Sequence, residues 1–184
     1  MGDIVVHNHN WNRLDLVANS CYWPARVKKC NFVFTIILGR SISRRTVQEH
    51  EDVATIRVER QIDASAEEVW DALRDWGAIH ERLVPGFVTD AQLDGEDRIV
   101  TFFNGAVVRE ILVDLDEEGR RLVWSVVDGP YSHHNGAAQV FAEGEGCRFV
   151  WTADLLPNEA AAPTAEMMEQ GIEVLKETQE TGAA

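Results

Sequence analysis

The segment Tyr131-Ser132-His133-His134-Asn135 holds the most suggestive chemistry in the chain. Imidazole titrates near neutral pH, so either histidine could accept or release a proton. Neighbouring residues of an extended chain point opposite ways, so at most one of the two faces inward. Parity with Gly136, Ala138 and Val140, the inward set of the strand that follows, selects His134, with Tyr131 beside it. The matching acid is Glu110, set in the apolar run Val107-Val108-Arg109-Glu110-Ile111-Leu112. Glu110, His134 and Tyr131 are therefore the candidate acid/base group. Two plainer readings stand beside it: a solvent-exposed histidine pair in a loop, and a glutamate paired with a basic residue at a sheet rim.

Other chemistries find little support. His133 and His134 are adjacent and cannot form the i, i+4 helical pair of a zinc enzyme. There is no P-loop, no dinucleotide fingerprint, and no Cys-x2-Cys or Cys-x-His spacing for an iron–sulfur cluster. No metal and no cofactor are expected. The three cysteines, Cys21, Cys30 and Cys147, are odd in number and irregularly spaced, which fits reduced thiols in a cytoplasmic protein better than a disulfide framework. The net charge of −14 is uneven. Residues 1–50 carry seven basic and three acidic side chains, and residues 51–184 carry ten and twenty-eight. So acidic a body repels phosphate backbones and anionic membranes, and nucleic acid is not an expected partner. The longest apolar run, Phe32–Leu38, is too short to cross a bilayer, so no membrane insertion is expected.

Positioning the candidate residues requires a scaffold, and its signals begin after Glu49. Residues 1–50 show no sustained period; they read as a poorly ordered extension or a misassigned start, against a real added element. Residues 51–184 form the domain. Ala54–Ile62 alternates as a half-buried strand. Ser65 and Glu68 form a capping box, and Val69, Trp70, Leu73 and Trp76 follow at helical spacing until Gly77. A second short helix spans Ala78–Leu83. Strand segments follow at Phe87–Leu93, Arg98–Phe103, Ala106–Leu115, Arg121–Val127, Gly136–Glu143 and Cys147–Leu156, separated by turn residues. From Pro163 onward, Met167, Met168, Gly171, Ile172, Leu175 and Thr178 make the apolar stripe of a long helix. The expected class is α+β: a seven-stranded curved antiparallel sheet, two short helices and a long C-terminal helix over one face. A sheet bent round one helix leaves an internal volume, where a ligand would sit.

The order of these elements resembles the SRPBCC or START-like superfamily, of the polyketide cyclase/dehydrase and lipid-transport type. The resemblance covers residues 54 to 181. It is carried by Ser65-Ala66-Glu67-Glu68-Val69-Trp70, Asp75-Trp76-Gly77-Ala78-Ile79-His80, the stretch Asn104–Glu110, Leu115–Leu122, Val150-Trp151 and Gly171–Lys176. It implies a helix-grip fold with an internal cavity. It does not by itself imply one activity, because the fold hosts enzymes, carriers and receptors. The superfamily's plant hormone receptors carry an inward acid at the place of Glu110. Their ligand-anchoring lysine has no counterpart here, since the lysines are Lys28, Lys29 and Lys176.

Asn104-Gly105 between apolar runs predicts a two-residue hairpin turn, pairing Phe103 with Ala106, Thr101 with Val108 and Ile99 with Glu110. One sheet face then carries Ile99, Thr101, Phe103, Val108, Glu110 and Leu112. The resemblance makes that face the cavity wall. In the resembling proteins the loop at Tyr131–Asn135 borders the cavity mouth. Trp151, Trp70, His80 and Met168 complete the expected lining; core packing is the plainer reading of Trp70, and a surface or rim position that of His80. The expected function is binding of a small hydrophobic molecule: a lipid, polyketide or aromatic metabolite. The alternative is an enzyme of the polyketide cyclase or dehydratase type using the acid/base group. A homodimer is left open.

Overall fold

The structure, a computed structural model, describes residues 5–8 and 53–182. The expectations for the rest of residues 1–50, and for Cys21 and Cys30, lie outside the described residues.

Strand β2 (Ala54–Ile62) buries Ala54, Ile56, Val58 and Ile62; Thr55, Arg57, Glu59 and Gln61 take the opposite face, as its alternation requires. Arg60 stays on the inner face and pairs with Glu169 and Glu173 near the sheet edge. Helix α1 (Ala66–Arg74) starts at the expected capping box. The Ser65 hydroxyl accepts from the Glu68 amide, and the Glu68 carboxylate accepts from the Ser65 amide. Helix α2 (Ile79–Arg82) is a single turn. The strands β3 (Val88–Asp94), β4 (Asp97–Phe102), β5 (Val107–Asp116), β6 (Arg121–Val126), β7 (His133–Glu143) and β8 (Gly146–Leu156) then run as an antiparallel meander. A 3-10 turn at Asn158–Ala160 leads into helix α3 (Ala161–Gly182).

Strand β2 extends the meander at its β8 edge, from Ile62 opposite Cys147 to Ala54 opposite Leu155. These seven strands are the expected sheet. One further strand was not expected: β1 (Val5–Asn8) adds to the outer edge of β2, with Val5 opposite Arg57 and Asn8 opposite Ala54. The described sheet thus has eight strands in the order β1-β2-β8-β7-β6-β5-β4-β3.

Helix α3 lies against the sheet through Ala165, Met168, Gly171, Ile172 and Leu175, which are buried. Each large apolar side chain among them contributes about 1.5–3 kcal/mol by leaving water. Gly171 is needed at the closest approach. A Cβ there would sit 2.9 Å from the Phe87 ring and 3.1 Å from Trp151. On the sheet, Gly136 plays the same part for Trp124, whose indole would lie 2.6 Å from an added Cβ. These two glycines let aromatic rings lie between helix and sheet.

The β4–β5 hairpin corrects the expected register. A two-residue type I′ turn needs positive φ at both central residues. Here Gly105 has φ +82° and Asn104 is not in that region. The loop is instead three residues, Phe103 to Gly105. The Gly105 amide donates to the Phe102 carbonyl, the Phe102 amide to the Ala106 carbonyl, and the Ala106 amide to Asn104 Oδ1. Arg98 therefore pairs with Glu110, Ile99 with Arg109 and Val100 with Val108. A one-residue slip exchanges the faces of a strand. Arg98, Val100 and Phe102 point inward from β4, and Ile99, Thr101 and Phe103 do not line the interior.

Candidate functional site

Two adjoining cavities lie between the sheet and α3. The inner one, about 60 Å³, sits over Leu83, Val100, Leu122 and Phe149. The outer one, about 190 Å³, opens toward Asn104, Pro130, Tyr131 and Met167. They share Phe87, Phe102, Glu110, Trp124 and Trp151 as walls. Trp124 and Trp151 come from β6 and β8 and lie 6.1 Å apart, centroid to centroid. Phe87 meets Phe102 edge-on at 5.6 Å, which suits the opposite charges of ring edge and face.

Glu110 reaches this interior, but it is engaged. The Arg98 guanidinium donates Nε–H to Glu110 Oε2 at 2.7 Å, and both side chains are below 10 % exposed. Arg98 also donates to the Trp76 carbonyl and lies 3.5 Å from the centre of the Trp76 ring. Burial pulls the Arg98 guanidinium below its ordinary pKa, and the Glu110 carboxylate opposes that shift. The glutamate thus both lines the cavity and pairs with a base, and the pair is internal rather than at the rim.

His134 lies within β7 rather than in a loop, because that strand begins at His133. His133 is exposed and His134 is buried, as parity requires. Beyond the pair of Trp124 with Gly136 the β6–β7 ladder opens. His134 takes over the freed groups there. The Val126 amide donates to His134 Nδ1 at 3.2 Å, and the Ser125 hydroxyl donates to the His134 carbonyl. Burial, with His133 adding to it, lowers the imidazole pKa to about 4, so the ring is neutral at pH 7. Tyr131 stacks obliquely on it, with centroids 5.0 Å apart, and shares a hydrogen bond of 2.9 Å with Thr164 on α3.

The structure brings Glu110, His134 and Tyr131 to the outer cavity with Val108, Trp151 and Met168. Glu110 and His134 do not touch. Glu110 sits opposite Val126 on β6, and His134 lies one strand further, so about 10 Å of sheet separates their backbones. A reacting molecule would have to lie between them.

The other candidates lie elsewhere. Ile99, Thr101 and Phe103 are lost to the register shift. Leu112 is 37 % exposed, where β5 bulges between Leu112 and Asp114. Trp70 is a core residue whose indole N–H donates to Glu117 at 2.8 Å. His80 is half-buried on α2, 3.6 Å from Glu81, and lines neither cavity. Sequence reasoning missed Arg98, Phe87, Phe102, Trp124 and Thr164. The alternation of β4 carried the signal for Arg98 and Phe102, given the other hairpin register.

Among the described residues no three histidine, cysteine, aspartate or glutamate side chains gather as metal ligands, and no helix is long and apolar enough to cross a membrane. Cys147 is buried, and burial raises its thiol pKa to about 11, away from nucleophilic use at neutral pH.

Comparison with known proteins agrees with this architecture. No curated protein sequence matches the chain. Among solved structures, the protein XoxI from Bacillus cereus superposes with a TM-score of 0.62 at 17% identity, over 68% of this chain and 94% of that one. A protein from Thermobifida fusca has a TM-score of 0.56 at 28% identity, over 66% and 90%. A START superfamily protein from Mycobacterium smegmatis has a TM-score of 0.55 at 10% identity, over 70% and 96%. These likenesses support the helix-grip fold of START-like proteins. The sequence itself matches the family described as polyketide cyclase / dehydrase and lipid transport over residues 53–180, and the chain belongs to that family.

Proposed function

We propose that the domain binds one compact, largely apolar small molecule in the outer cavity, with its polar end toward His134 and Tyr131. The supporting observation is the pair of adjoining cavities walled by Phe87, Phe102, Trp124 and Trp151. Apolar walls with a few convergent polar groups are the usual make-up of a ligand site. The volume sets the size of the guest. A dry cavity of about 150 Å³ takes benzene, so about 190 Å³ suits a ligand of one or two rings, or a short acyl chain. Tests are native mass spectrometry of the purified protein and quenching of tryptophan fluorescence by small aromatics. Ala153→Phe would fill the outer cavity from the β8 wall. Folded Ala153→Phe protein that binds as well as wild type would refute the placement.

A cyclase or dehydratase activity is the second reading. It is favoured by a neutral imidazole and a phenol on the same wall, with a carboxylate across the cavity. In that reading His134 moves the proton, Tyr131 accepts from a substrate hydroxyl, and Glu110 balances charge while Arg98 holds it in place. Turnover of a small polyketone that survives His134→Asn unchanged would remove the imidazole from the mechanism.

A further inference from the structure

The protons at the polar end of the outer cavity can be assigned one by one. The Thr164 hydroxyl has a single proton and donates it to the Ala160 carbonyl at 2.7 Å. In its 2.9 Å contact with Tyr131 it can therefore only accept. The Tyr131 O–H points to Thr164, and what its oxygen presents to the cavity is a lone pair. His134 is assigned in the same way. A backbone amide only donates, so the ring nitrogen facing the Val126 amide carries no proton. The proton sits on Nε2, on the far side of the ring from the strand. The charged residues lining the two cavities are Arg98 and Glu110, and they are paired with each other. No unpaired cation among the described residues is left to receive an anion.

We infer that the outer cavity selects an uncharged aromatic alcohol or phenol of one or two rings, whose hydroxyl donates to Tyr131 Oη and accepts from His134 Nε2–H. A hydroxyl is a small group that is donor and acceptor at once; the two rings are neighbours on the cavity wall, centroids 5.0 Å apart, and the lone pair of one complements the N–H of the other. A ketone could use His134 and would face the Tyr131 lone pair without a proton to offer. A carboxylate would also face the Tyr131 lone pair, with the Glu110 carboxylate across the cavity. This rests on the cavity-binding reading above and adds the functional group of the guest.

Binding of naphthalene, 2-naphthol, 2-acetylnaphthalene and 2-naphthoate, followed by tryptophan fluorescence and calorimetry, tests both levels. Each well-made neutral hydrogen bond is worth up to about tenfold in affinity. 2-Naphthol is expected to bind about tenfold or more tighter than naphthalene, with the ketone between them and 2-naphthoate weakest. Tyr131→Phe should cut the advantage of 2-naphthol over naphthalene to that of the single bond from His134, level with 2-acetylnaphthalene. Thr164→Val supplies the opposite readout, one that a merely structural role would not produce. It frees the Tyr131 proton, so 2-acetylnaphthalene should tighten relative to 2-naphthol. Equal binding of naphthalene and 2-naphthol, or preference for 2-naphthoate, would overturn the hydroxyl assignment while leaving the cavity reading intact. Failure of all four probes would overturn both.

Discussion

Replacing Glu110 by leucine keeps the volume of the side chain and removes the partner of a buried guanidinium. Arg98 would be left about 5 % exposed, with one hydrogen bond to the Trp76 carbonyl and its stacking on the Trp76 ring. Breaking a buried pair on one side costs about 3–5 kcal/mol, and the Trp76 contacts that survive place this case near the lower end, about 3 kcal/mol. For a domain of this length unfolding entropy is about 0.27 kcal/mol per degree, so the midpoint should fall by roughly 10 °C. Arg98→Met combined with Glu110→Leu should recover most of the loss, because no uncompensated charge remains. Urea denaturation of wild type, both single variants and the double variant completes the cycle and isolates the coupling. The reasoning fails if Glu110→Leu alone lies within about 0.5 kcal/mol of wild type, or if the double variant is no more stable than the single.

Other consequences concern the remaining polar and close-packed positions. His134 has a folded pKa of about 4 against 6.5 for the free side chain, so between those values the unfolded chain holds more protons. Stability is then fully present above pH 6.5 and is lost as pH falls toward 4, by on the order of 3 kcal/mol. His134→Asn, which keeps an acceptor for the Val126 amide and cannot titrate, should flatten that part of the pH–stability curve; an unchanged slope would exclude His134 as its source. Gly136→Ala should destabilise by about 1–3 kcal/mol and displace the Trp124 ring, seen as a shift in near-UV circular dichroism. Ser65→Ala should cost about 1 kcal/mol through loss of the capping box, with the cavity probes still binding.

Much of the scaffold is legible in the sequence because it is encoded locally. The Ser65–Glu68 box, the alternation of Ala54–Ile62 and the stripe from Met168 to Leu175 each specify their element without reference to the rest. Parity also placed His134 inward correctly. The errors on β4 share one cause, which is that register depends on turn geometry. Asn104-Gly105 is compatible with a two-residue turn and with a three-residue loop, and the difference inverts β4. That single slip hid Arg98, and with it the fact that Glu110 is paired. The β1–β2 pairing was illegible for a related reason: four residues carry no period, and only an open strand edge recruits them. The contact between Tyr131 and Thr164 joins positions 33 residues apart, beyond the reach of any pattern along the chain.

The pairing of β2 with β8 has a consequence for the order of folding. Every pairing from β3 to β8 joins consecutive strands, so the meander can form by short loops. Strand β2 is made before all of them, and the edge it turns toward the meander finds its partner in the last strand, almost the length of the domain away. During synthesis, then, the apolar face of β2 waits while the meander emerges, at about 5–20 residues per second. Slow final docking of the N-terminal strand onto a preassembled meander is the expected kinetic signature, and a permuted chain that places β2 after β8 should fold faster than the natural order.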